Sequence, residues 1–252
     1  SYKVESEENV FEIFRRINSG GRQLSSQEQR QAGVLCHFSD LVREIAADIR
    51  GDSTNEQVVL SDMPQISIGN TRENCRYGLN ADNTFWVKQG IIAIQNLRDS
   101  DDEEIIADIL ISILLGEPFA RSKERLDKAY DLSSDLYSQI EIALIRYTPE
   151  KLKSDVQNTF SVLKNCIESV STEANYLRSV VMPAARIPIK NAFYTIFMAL
   201  YDLLVKEDLS PFDNAGLFNS LHNLQSRIKV DTHYATTENR KQNIALTKGL
   251  ML

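Results

Sequence analysis

The sequence predicts an all-α protein, a multi-helix bundle divisible into two helical subdomains joined by an irregular loop. Three observations carry this. Apolar residues recur at helical spacing along most of the 252 residues. Helix-start signals repeat: the pairs Ser25/Glu28 and Ser100/Glu103, and the Thr148-Pro149 and Ser210-Pro211 dipeptides. No strand-like alternation of four or more residues stands beside them, and no internal repeat of fixed period is present.

Taken in order, Val10, Phe11, Phe14 and Ile17 line one face of a first helix ending near Asn18, which Ser19-Gly20-Gly21 interrupts. Ser25 and Glu28 form a capping box, so a second helix starts there and is expected to run through Cys36, with another from Ser39 to about Ile49 before Gly51-Asp52. From Gly51 to about Asn83 the period is lost, and Asn70, Asn74, Gly78 and Asn80 mark an irregular connection. A helix capped at Asn83 or Thr84 then carries Phe85, Trp86, Ile91, Ile92 and Leu97. Asp99, Asp101, Asp102, Glu103 and Glu104 open the next helix, where the macrodipole favours negative charge. After Gly116-Glu117-Pro118, shorter helices reach Tyr147, and Thr148-Pro149 opens a long one to about Val170. Pro183 and Pro188 bracket a kinked connection into Ile189–Lys206, the most apolar helix, with Phe193, Tyr194, Phe197, Leu200, Tyr201 and Leu204. Three regions result: a helix–turn–helix corner at 1–50, the connection at 51–83, and a helical domain at 84–252.

Composition excludes several classes. With 42% hydrophobic and 25% charged residues, the chain is an ordinary globular one able to bury a core. The net charge of −7 has the wrong sign for a protein that coats nucleic acid with its whole surface. Between Asp99 and Leu136 eleven acids face four bases, whereas from Leu221 to Leu252 five bases face two acids. Only that C-terminal stretch, with Arg227, Lys229, Arg240, Lys241 and Lys248, offers a local site for an anion such as DNA; the alternative is a solvated charged face. Cys36, Cys75 and Cys166 are scattered, which suggests buried thiols in a reducing compartment rather than disulfides or a zinc site. The longest apolar run, Ile105 to Leu115, is eleven residues interrupted by Asp108 and Ser112, against the ~20 needed to span a bilayer. The expectation is a cytoplasmic chain with no membrane contact. Ser1 is either an end left by Met removal or the start of a fragment.

The search for chemistry is mostly negative. His37, His222 and His233 have no partner at metal spacing, and no nucleophile-elbow or phosphate-loop motif is present. The carboxylates of 99–104 could suit a hard divalent cation, but helix capping accounts for them more simply. The N-terminal segment is different. Phe14-Arg15-Arg16-Ile17-Asn18-Ser19-Gly20-Gly21, followed by Leu24-Ser25 and Glu28-Gln29-Arg30, sets two arginines before a glycine turn and a third one turn into the next helix. Arginines fork onto phosphate or carboxylate, and a glycine turn lets a ligand approach the backbone. The alternative is that Arg15, Arg16 and Arg30 pair with Glu12 and Glu28 to brace the corner.

This stretch resembles the F-x-R-I-N-x-x-G-x-x-L-x-x-x-E-x-R segment of the bacterial family called domain of unknown function 262, which includes the GmrS portion of the GmrSD modification-dependent restriction endonucleases. Further likeness falls at Tyr77-Gly78, Thr84-Phe85-Trp86, Asp102-Glu103-Glu104, Phe193-Tyr194 and Arg240-Lys241-Gln242-Asn243. The family is associated with a ParB-like N-terminal domain, whose D-G-Q-Q-R motif is linked to nucleotide binding and hydrolysis, and often with an HNH-type nuclease domain. Neither occurs in this sequence, and Gln29-Arg30 is no substitute. The resemblance therefore implies the helical part that follows the ParB-like core of a nucleotide-dependent phage-defence protein. The expectation that follows is a site formed by Arg15, Arg16, Asn18, Gly21, Glu28 and Arg30, completed by a missing N-terminal domain, which either contacts a nucleotide phosphate or holds the interface with that domain. No catalytic residue, metal or cofactor is assigned to this chain; a nucleoside triphosphate belongs to the larger protein, DNA is a candidate partner, and self-association stays open. The competing expectation is a stand-alone helical module for protein–protein interaction, for which the aromatic stripe Phe193–Leu204 could serve, although such stripes are usually core.

Overall fold

A computed structural model describes residues 24–32, 34, 36–51, 68–69, 79–184, 187–209, 214–228 and 236–252. The predicted first helix with Arg15, Arg16, Asn18 and Gly21, most of the 51–83 connection, the Ser210-Pro211 start and Lys229 lie outside these residues. Among the described residues thirteen α-helices account for nearly all regular structure. One parallel bridge two residues long, β1 (Ile68–Gly69) with β2 (Leu79–Asn80), is the exception, followed by a 3₁₀ turn at Ala81–Asn83. The all-α class is therefore correct.

α1 (Ser26–Gln31) starts on the predicted capping box: the Ser25 N–H donates to Glu28 Oε2 at 2.6 Å, and the Glu28 N–H to Ser25 Oγ at 3.2 Å. It ends five residues before Cys36, contrary to expectation. Cys36 instead caps α2 (His37–Arg50), its Sγ accepting from the Ser39 N–H at 3.3 Å, and Gly51 ends α2 at φ 74°. α3 (Phe85–Lys88) is capped by Thr84, but it does not continue to Leu97. The chain turns at Gly90 (φ 69°) and resumes as α4 (Ile94–Arg98). α5 (Asp101–Leu114) begins at Ser100 in the left-handed region (φ 60°) without a side-chain cap, so the second predicted capping box does not form. Glu103 is engaged elsewhere, on Arg50.

α6 (Lys123–Tyr130) and α7 (Asp135–Tyr147) come next, each capped by a serine hydroxyl. α8 (Pro149–Val170) has the predicted start and end, with the Thr148 hydroxyl accepting from the Lys151 N–H. α9 (Tyr176–Val181) leads to α10 (Lys190–Tyr201), which passes into a π turn at Asp202–Lys206 rather than continuing as one α-helix. α11 (Asn214–Ser220), α12 (Leu224–Arg227) and α13 (Thr237–Met251) complete the chain. Among the described residues no helix is long and apolar enough to cross a membrane.

α5 and α10 form the centre. Both are apolar almost all round, which makes a helix internal: Ala192 to Tyr201 are all buried, and so are most residues of α5. α10 packs on α5, α8 and α13, while α2 packs on α5, α7 and α8. Phe85, Trp86, Phe160, Phe193 and Phe197 cluster between them at centroid separations from 4.6 to 6.3 Å, mostly edge to face. Buried residues from Cys36 to Met251 belong to one core, so α2 shares its core with the helices after residue 84. The aromatic stripe of α10 is interior and presents no face to a partner.

The Gly90 turn fits no other residue. A Cβ there would lie 2.8 Å from Asn175 Oδ1 and 2.9 Å from Arg178 Cδ, whereas at Gly116 (φ 72°) it would meet nothing within 4 Å. Both glycines lose their left-handed freedom on substitution, but only one also creates a clash. Gly90→Ala should cost about 2–4 kcal/mol and Gly116→Ala about 1 kcal/mol in urea unfolding; equal costs would show that the packing of α9 against this turn is loose.

Candidate functional site

The E-x-R half of the motif lies on α1, and its arginine faces inward. Arg30 is 8% exposed. Its Nε donates to Asp127 Oδ1 at 2.7 Å and its Nη1 to Glu104 Oε2 at 3.0 Å and to Gln27 Oε1 at 3.2 Å. Gln27 in turn donates to the Tyr130 hydroxyl at 2.9 Å. Glu28 closes the capping box and is not Arg30's partner. The bracing alternative thus holds for Arg30 in kind but with different acids, on α5 and α6, because Glu28 is already committed to the helix end. A buried guanidinium needs charged partners on its donors, and α5 supplies one of them.

The acids that open α5 are matched to cations from across the chain. Glu104 also accepts from Lys190 at 2.9 Å and Arg121 at 3.3 Å; burial works against its ionisation, yet Lys190, Arg121 and Arg30 together hold its carboxyl down to about 2. Lys190 reaches Asp101 at 3.4 Å as well. Arg50, the last residue of α2, sets its Nε 2.9 Å from Asp102 Oδ2 and its Nη2 2.8 Å from Glu103 Oε1. Asp102 is fully buried: burial raises its carboxyl to about 7, with Arg50 opposing the rise and Glu103 adding to it. The divalent-cation alternative for this cluster therefore gives way to protein cations. Among the described residues no group of three or more His, Cys, Asp or Glu could hold a metal ion.

The C-terminal basic stretch divides. Arg240 on α13 is 4% exposed and grips Asp108 with both forks, Nη1 to Oδ1 at 2.6 Å and Nη2 to Oδ2 at 2.7 Å. It also donates to the Phe119 carbonyl at 2.9 Å and stacks 3.8 Å above the Tyr194 ring. Burial alone would favour its neutral form, but Asp108 keeps the guanidinium firmly charged. Such a residue cannot reach a nucleic-acid phosphate, and its place in a basic face is corrected accordingly. Lys241 pairs with Glu117 at 2.9 Å, Lys248 pairs with Glu207, and the exposed Arg227 donates to the Ser220 carbonyl at 3.0 Å. The described cysteines Cys36 and Cys166 are buried free thiols, and burial pushes both up.

Sequence reasoning missed the Asp108–Arg240 pair, whose members are 132 positions apart. A signal was present, since Asp108 interrupts the apolar run of α5 and a charge there must find a partner. The chain matches no protein-family model, and neither curated proteins nor solved structures give a significant match.

Asp102 makes stability depend on pH. Its folded value near 7 lies above an unfolded carboxyl near ~3.9, so the folded chain keeps a proton that the unfolded chain releases. That stabilisation is fully present below about pH 4 and is lost as pH rises through 7, by at most ~1.4 kcal/mol per pH unit. An asparagine side chain cannot ionise, so Asp102→Asn should gain stability relative to the parent between pH 5 and 8, read as diverging urea midpoints. A pH-independent difference would place the proton elsewhere.

Proposed function

We propose that this chain is the helical, non-catalytic part of a nucleotide-dependent defence protein acting on foreign DNA. In this reading the R-I-N-x-x-G turn faces a nucleotide phosphate at the boundary with a ParB-like domain, and the E-x-R helix is the anchor that ties the turn to the bundle. The observation that carries it is the inward engagement of Arg30, the last residue of the motif, with Glu104 and Asp127. A short helix of six residues has little stability of its own. Fastening it by a buried charge network fixes the position of this helix on the bundle. The ligand role then belongs to Arg15, Arg16 and Asn18, while Glu28 and Arg30 are positioning residues.

DNA contact through the C-terminal stretch draws less support, because Arg240 is internal and Lys241 and Lys248 have carboxylate partners. An interaction module is the second reading, and it rests on Ile142 and Ile145, 51% and 74% exposed one turn apart on α7. Exposed aliphatics in isolation are ordinary, and two of them form a small patch.

The test uses the protein with its natural full coding frame. Arg16→Glu should weaken ATP or GTP binding, followed by equilibrium dialysis, by at least about tenfold, with an unchanged far-ultraviolet circular dichroism spectrum. Unchanged affinity in a folded variant, or no nucleotide binding by the parent protein, would overturn the reading.

A further inference from the structure

A cleft of about 250 Å³ opens between the π turn, α13 and the link after α5, and neither the motif nor its anchor uses it. Its floor is apolar: Met198 and Ile244 lie there, with Pro118 and Ala245 beside them. Together with the acids Glu117 and Asp202, three lysines line it as well: Lys206, Lys241 and Lys248. Two of these stand seven residues apart on α13, about 10.5 Å along its axis and on one face. The third is delivered by the π turn, which closes with the Glu207 N–H donating to the Asp202 carbonyl at 3.1 Å. One extra residue in a helix rotates the next turn by about 100°. The wide turn therefore sets the angle at which Lys206 joins the lining and Glu207 meets Lys248. Such turns cost stability and are frequent at functional sites.

Each lysine is tethered by one carboxylate: Lys206 by Asp202 at 2.7 Å, Lys241 by Glu117 at 2.9 Å, and Lys248 by Glu207. An ammonium has three donors, so each tether leaves donors for a ligand while reducing the freedom that binding would remove. The Lys241–Glu117 pair is about half exposed on both sides, and a pair of that kind contributes little net stability. Exchanging it for a stronger anion is therefore cheap.

We propose that this cleft binds a small phosphate monoester with a short aliphatic body. A phosphate group brings close to two negative charges and three acceptor oxygens to a cleft lined by three lysines, while the body covers Met198 and Ile244. The volume falls below that of drug-sized pockets. No aromatic ring lines the cleft, so a nucleobase would find no stacking surface. This site is separate from the nucleotide site proposed for the motif and stands or falls independently of it.

Butyl phosphate, inorganic phosphate and butyrate are the probes, titrated calorimetrically into the chain at low salt. Butyl phosphate should bind most tightly, with both others weaker by about tenfold or more. Lys241→Met and Lys248→Met should each reduce its affinity by about tenfold, and Lys164→Met, exposed on α8 and outside the cleft's lining, should not. The proposal is overturned if butyl phosphate does not bind at ~10 mM, if butyrate binds equally well, or if Lys164→Met weakens binding as much as the cleft variants do. Circular dichroism of each variant separates lost folding from lost binding.

Discussion

A helix apolar enough to sit at the centre of this bundle carries five carboxylates within its first eight residues, and the three that are buried, Asp102, Glu103 and Asp108, must be matched before the core can close. Asp101, Asp102, Glu103, Glu104 and Asp108 of α5 meet Arg30 from α1, Arg50 from α2, Arg121 from the following link, Lys190 at the start of α10 and Arg240 from α13. Leaving a buried carboxylate unpaired costs on the order of 3–5 kcal/mol, a large part of the net stability of any domain. The folded chain therefore has few alternative ways to arrange these helices around α5. Apolar burial supplies most of the driving force for collapse, while the charge pairs dictate which segments meet.

This arrangement links the core to the candidate site. Arg30 closes one end of the network and is also the last residue of the motif, so the order of the motif's second helix depends on Glu104 staying ionised. Glu104 is held low by three cations and stays charged through neutral and moderately acidic conditions, whereas Asp102 exchanges its proton near neutrality. At the other end, Arg240 ties α13 to Asp108. Tyr194, beneath its guanidinium, shares a hydrogen bond of 2.8 Å with Ser112, which also lines the cleft. Through Arg121, which lies between Glu104 and Asp108, one polar network thus runs from the motif's anchor to the lining of the cleft, across the two most apolar helices among the described residues.

Much of the fold was legible because local signals governed it. The Ser25/Glu28 box, the Thr148-Pro149 start and the Gly51 stop depend on residues within one turn of each other, and all three operate as the sequence suggests. The illegible part depends on contacts distant in sequence. Helical periodicity runs smoothly through Gly90, yet the chain must turn there to fit beneath Asn175 and Arg178. The apolar pattern of α10 continues past Tyr201 while the backbone widens into a π turn, which residue type does not announce. Ser100 and Glu103 have the spacing of a capping box, but Arg50 competes for the glutamate and wins with a buried ion pair. The site obeys the same rule: the motif is visible as a pattern, and by spacing Glu12 and Glu28 are the natural partners for its arginines. Arg30 instead reaches acids 74 and 97 positions away. Arg240 counts toward a basic surface in the sequence because a tally of charges carries no information about depth.

Hydrogen exchange followed by mass spectrometry on Glu104→Gln tests the central role of α5 most directly. That substitution keeps the shape of the side chain and removes the charge shared by Arg30, Arg121 and Lys190. Amides should exchange faster in three separate segments, α1, the link at 121–122 and the first turns of α10, even though they are distant in sequence. Faster exchange confined to α5 itself, with those three segments protected as before, would contradict the account and leave the bundle held by its apolar core alone.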